Sequence, residues 1–157
     1  MPTRRFTLVV LPLLAACGCA PAEPSPCQGF ADRKLGITGA EYRPCAEKIM
    51  AALDALQPPL QAIVSDKAKG NERDDARQAF GTLRRLVRQT GVESDYRSMK
   101  PGTVITKWAD SDVSAFNFAT FTAMVQYMAV LAYPNRDNMS QGVRAHDQAR
   151  HYYARIR

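Results

Sequence analysis

From Asp112 to Tyr133 the chain reads as one long apolar helix, ended by Pro134. Its large residues are Phe116, Phe118, Phe121, Met124, Val125, Tyr127, Met128, Val130 and Leu131, and at 100° per residue they go right round the axis. A helix that is hydrophobic on all sides has to be buried, in a protein core or in a bilayer. Asn117, Thr120, Thr122 and Gln126 interrupt it, which favours a core helix over a membrane span. Trp108 precedes Asp110-Ser111-Asp112, a fitting N-cap for this helix.

The flanking segments supply the partners such a helix needs. Pro44 fits a first helical turn, and from there Ala46, Ile49, Met50, Leu53 and Leu56 repeat at three and four. Thr38-Gly39-Ala40-Glu41 also fits a capping box, but a helix begun there would hold Pro44 uncomfortably far inside. Pro58-Pro59 is expected to break the helix near Gln57 and start a second, 59–68. Lys69-Gly70 reads as a stop, and Asn71 as the cap of a helix that closes at Gly91, with Glu72, Asp74 and Asp75 in its first turn. Residues 92–109 read as irregular, with Pro101-Gly102 as a turn and Thr103–Thr106 as a short extended piece. Asn138 is expected to cap a last helix, 139–156. With no alternating pattern of any length, the fold class is all-α: a helical bundle of about four to five helices around the apolar helix, about 112–133. The 157 residues suffice for one domain, and 46% hydrophobic with 23% charged residues excludes a disordered chain.

The first 26 residues belong to something else. Arg4 and Arg5 precede the apolar run Phe6–Ala16, which is too short for a bilayer span of roughly 20 residues and reads as an export signal. It ends Leu14-Ala15-Ala16-Cys17, which resembles the lipobox of bacterial lipoproteins; the resemblance covers about 17 residues and nothing beyond. It implies that the signal, 1–16, is removed and that Cys17 carries the lipid on its sulfur and on the new N-terminus. Gly18, where a retained lipoprotein has Asp, implies the outer membrane of a Gram-negative cell, facing the periplasm. An ordinary secretory signal cut after Ala20 or Ala22 is the alternative, and Cys19 is a rival acceptor without the required Leu. Residues 17–26 hold three prolines and read as an extended tether, leaving 27–157 as the helical domain. Loss of Arg4 and Arg5 takes the net charge from +6 to +4, too mild for a nucleic-acid binder.

Export also assigns the thiols. Cys27 and Cys45 lie in the folded part, 18 residues apart, and are expected to pair in an oxidising compartment. No CxxC, HExxH, GxSxG, dinucleotide or phosphate-loop motif is present, so no cofactor and no metal is expected. His146 and His151 share the last helix; His146 with Arg150 is a cationic pair, and Asp147 with His151 reads as an exposed ion pair before a metal face. Arg73, Arg77, Arg84 and Arg88 fall within about 60° of one another and form a candidate partner-binding stripe. Trp108, Asp110, Asn117 and Gln126 form a candidate pocket, since buried amides need partners. The expectation is a non-enzymatic, outer-membrane-anchored binding or accessory module for another envelope protein or anionic surface. The alternative is a small envelope hydrolase or ligand binder with its site near Trp108 and Asp110.

Overall fold

The structure, a computed structural model, describes residues 24–68, 70–98 and 107–157. The signal, Cys17, Cys19, Pro101-Gly102 and Thr103–Thr106 lie outside the described residues, as does Lys69. Five helices follow in order: α1 (Gly39–Val64), α2 (Glu72–Thr90), α3 (Val92–Ser98), α4 (Ser111–Ala132) and α5 (Arg136–Tyr153). The architecture is an all-α bundle. α1 with α2 and α4 with α5 form two helix pairs, and α1 packs across both α4 and α5.

α1 begins at the capping box: Thr38 accepts from the Glu41 N–H while Glu41 accepts from the Thr38 N–H. Arg33 pairs with the same carboxylate at 2.7 Å and lowers its pKa. The helix then runs unbroken through Pro44, Pro58 and Pro59, which overturns the expected start at Pro44 and the expected break near Gln57. An interior proline costs about 3 kcal/mol through a lost hydrogen bond and a clash. Breaking the helix would cost more. Leu53, Leu56 and Leu60 are fully buried and Ile63 nearly so, at one continuous helical phase, and each is worth about 1.5–3 kcal/mol.

α2 has the expected bounds, and Gly91 ends it in the left-handed region at φ 78°. A side chain at Gly91 would also meet Lys107 Nζ at 2.8 Å and the Ala31 backbone at 3.0 Å. Asn71 caps differently from expectation: its side chain makes no capping bond, and its carbonyl accepts from Asp74 and Asp75. α3 lies where the sequence reads as irregular. Seven residues do not hold a helix by propensity. Here Val92 is buried and Tyr96 stacks on Phe121 of α4, with centroids 5.4 Å apart. α5 starts three residues earlier than expected, because Asn135 rather than Asn138 is the cap.

Cys27 and Cys45 form the expected disulfide. It fastens the segment before α1, which crosses the C-terminal end of α2: the Ala31 N–H donates to the Gln89 carbonyl at 3.1 Å. A single parallel bridge joins Ile37 to Trp108 and so ties this segment to the start of α4.

α4 is, among the described residues, long and apolar enough by length and composition to cross a membrane. One side of it is core: Val113, Phe116, Ala119, Ala123, Met124, Tyr127 and Val130. The other side is not buried, contrary to what an all-round apolar helix predicts. Phe118 is 55%, Val125 36% and Met128 43% exposed. Tyr96 of α3 meets this face at Phe118 and Phe121, with ring centroids 5.5 and 5.4 Å away.

Candidate functional site

Trp108, Asn117 and Tyr42 come together in the core. The Tyr42 hydroxyl donates to Asn117 Oδ1 at 2.5 Å, and its ring meets the Trp108 indole edge-on at 5.0 Å. Burial pushes the Tyr42 phenol far up, so it stays protonated and remains a donor. Trp108 is 5% exposed, and its ring carries the Lys107 ammonium over one face at 5.1 Å. Among the described residues its indole N–H and the Asn117 amide nitrogen have no hydrogen-bond partner. Asp110 accepts from the Asp112 N–H at 2.7 Å and caps α4, and Asp112 pairs with Arg155 at 3.1 Å. Both carboxylates are therefore engaged. Gln126 does not join this group. It lies nine residues along α4, about 13 Å away, beside Gly142 of α5.

The arginine stripe divides in two. Arg73 is exposed and Arg77 pairs with Asp74 at 3.1 Å, in open solvent. Arg84 and Arg88 instead turn toward Glu93 of α3, at 3.8 and 3.4 Å, and Arg97, which the sequence reading did not select, reaches the same carboxylate at 2.8 Å. The Glu93 side chain is 12% exposed beneath the three guanidinium groups. Together they wall an open cleft of about 600 Å³ between α2 and α3. Arg97 was missed because its place beside Arg84 and Arg88 depends on how α3 folds back on α2, and no local pattern announces α3.

A third group corrects the surface reading of the last helix. His146 is fully buried. Its Nε2 lies 2.9 Å from Asp54 Oδ1, and its Nδ1 lies 3.2 Å from the Tyr127 hydroxyl. Arg150 spans Asp54 at 2.7 Å and Asp147 at 2.8 Å. The bonds assign the neutral tautomer with the proton on Nε2, donating to Asp54 while Nδ1 accepts from Tyr127. The signal was present in the sequence: Met139, Gly142, His146 and Ala149 recur at three and four, and all are buried. Among the described residues no group of three or more His, Cys, Asp or Glu side chains is placed to hold a metal ion.

Burial, helped by the Arg150 guanidinium, holds the His146 pKa below its ordinary value, although Asp54 pulls the other way. Between the depressed native pKa and about 6.5 the unfolded chain binds more protons than the native one. Stability is therefore full above about pH 6.5 and falls as the solution is acidified, by at most about 1.4 kcal/mol per pH unit. Urea titrations at pH 7.5, 6.5 and 5.5 check this in the wild type and in His146→Gln. The wild type is expected to lose stability on acidification and the variant to lose distinctly less. Identical slopes would remove His146 from the account.

The exposed side of α4 is the fourth feature. Phe118, Phe121, Val125 and Met128 recur at three and four along one side, over about 15 Å of helix. Thr122 lies within this row and turns its hydroxyl back onto the Phe118 carbonyl at 2.9 Å. Beyond the end of α4, Tyr133 stands 80% exposed. An all-round apolar helix places Phe118, Phe121, Val125 and Met128 in the core, since composition alone does not tell which side of such a helix lacks a neighbour. Comparison of the chain with family models, with curated proteins and with solved structures returns no match.

Proposed function

We propose that this protein is a non-enzymatic binding module of the cell envelope, held at the outer membrane by lipid on Cys17 and docking another envelope protein on the apolar side of α4. The observation that carries this reading is the run of exposed apolar side chains Phe118, Val125 and Met128 on one side of α4, with Phe121 half-buried among them. Contiguous exposed apolar patches on soluble domains mark interaction surfaces. The alternative site near Trp108 and Asp110 has less in its favour. Its indole is packed away and its carboxylate caps a helix.

Two experiments test the two halves of the reading. Cys17→Ala is expected to abolish incorporation of labelled fatty acid and to leave the chain unprocessed or soluble; undiminished label would reject the anchor. A photo-cross-linker at Val125 is expected to give a discrete higher-mass adduct in intact cells, and one at Arg73, exposed but remote, is not. Val125→Lys with Met128→Lys should abolish the adduct formed from a probe at Phe118. Both residues are partly solvent-exposed, so the double variant should keep its melt within about 0.5 kcal/mol per site. Absence of any adduct along α4 would reject the docking surface.

A further inference from the structure

We propose that the cleft walled by Arg84, Arg88 and Arg97 binds phosphate groups of the anionic lipid headgroups in the membrane from which the domain hangs. The source of the phosphate rests on the anchor at Cys17; the phosphate chemistry rests on the cleft itself.

Charge comes first. Three guanidinium groups share the single carboxylate of Glu93, which leaves a surplus of two positive charges. Arg85 lines the adjoining part of the groove and adds a third. The arrangement is not a neutralised structural cluster, since a single carboxylate cannot satisfy three forks. Glu93 already occupies the place of one carboxylate and, being largely covered, orients the arginines from below. Arg84, Arg88 and Arg97 are 40, 60 and 64% exposed, so their outer edges face solvent. Five N–H donors on each planar fork suit the several oxygens and higher charge of a phosphate better than a second lone carboxylate.

Placement is the second and independent argument. The chain enters the fold beside this cleft. The Ser25 hydroxyl donates to Gln89 Oε1 at 2.6 Å, and the Ala31 N–H bonds the Gln89 carbonyl. Gln89 follows Arg88 directly and lines the groove with Arg84 and Arg85. Seven residue steps lead from Cys17 to Pro24, a reach of at most about 25 Å even when fully extended. A chain lipidated at Cys17 therefore cannot hold the arginines far from the headgroups. Confinement at that distance raises the effective phosphate concentration at the cleft, so a weak site suffices.

The test uses the protein purified from envelopes in neutral detergent, with phosphatidylglycerol in mixed micelles and inorganic pyrophosphate as separate probes. Binding is followed through the arginine Nε–H resonances. The parent is expected to bind both, with pyrophosphate displacing the lipid and added salt weakening each. Arg88→Gln with Arg97→Gln should weaken both by about tenfold or more, the loss of two charge-assisted contacts. Arg73→Gln with Arg77→Gln removes the same charge from α2, outside the cleft, and should change binding by less than about threefold. Equal losses in the two double variants would overturn the site in favour of diffuse charge. Absence of binding by the parent would overturn it outright. Binding of pyrophosphate without any of phosphatidylglycerol micelles would overturn the headgroup as ligand. Pyrophosphate binding does not use the anchor, so a failed cleft and a failed lipidation at Cys17 read out separately.

Discussion

Replacing Cys27 and Cys45 by alanine is expected to lower the unfolding free energy by about 3 kcal/mol, the chain-entropy value for a loop of this size. For a domain of this length that corresponds to a fall of roughly 10 °C in the melting midpoint. Both sulfurs are fully buried, so truncation also leaves a small void that adds to the loss. The bridge fastens the entry segment to α1, and that segment covers the C-terminal end of α2 through Ala31 and Gln89. Local protection is therefore expected to drop first at residues 25–37. Thermal melts of the wild type with and without reductant, beside the double variant, check the magnitude, and hydrogen exchange checks the location. A melt that moves by less than about 2 °C on reduction would show that the segment is held by its other contacts alone.

Gly142→Ala is expected to destabilise by about 1–3 kcal/mol, against the sign that helix propensity predicts. Alanine is favoured over glycine in a helix interior by about 1 kcal/mol, and Gly142 lies in the middle of α5. A Cβ at 142, however, would stand 2.5 Å from Cε1 and 2.6 Å from Cδ1 of Tyr127. That ring is fully buried and bonded to His146, so it cannot swing aside without breaking the Asp54–His146–Tyr127 chain. Steric overlap therefore outweighs propensity. Gly81 in α2 is the matched control, because a Cβ there meets nothing within 4 Å. Gly81→Ala should stabilise by about 0.5–1 kcal/mol. Denaturant titrations of the two variants are expected to move in opposite directions. Stabilisation by both would mean that α4 and α5 separate at little cost.

Much of this molecule is written in short-range pattern. The apolar run of α4, the Asp110 cap that starts it, and the acidic first turn and terminal glycine of α2 are each a signal confined to one element. Such signals act through backbone geometry and side-chain period, which hold whatever lies beyond, and they suffice for an all-α class and for most helix bounds.

The remainder depends on which neighbour arrives. Pro58 and Pro59 stay helical because Leu60 and Ile63 find core beyond them, and α3 exists because Tyr96 finds Phe121. His146 sits inside because Asp54 and Tyr127 are there to receive its two nitrogens. Arg84 and Arg88 part from Arg73 and Arg77 only once Glu93 and Arg97 have folded back on α2. The open side of α4 is the clearest case: Phe118 and Phe116 are equally apolar, and only the packing of the other helices buries one and leaves the other at the surface. Composition sets how much apolar surface a chain must cover. The tertiary structure decides which part of it stays open, because burial belongs to a pair of surfaces and the sequence of either one does not contain the other.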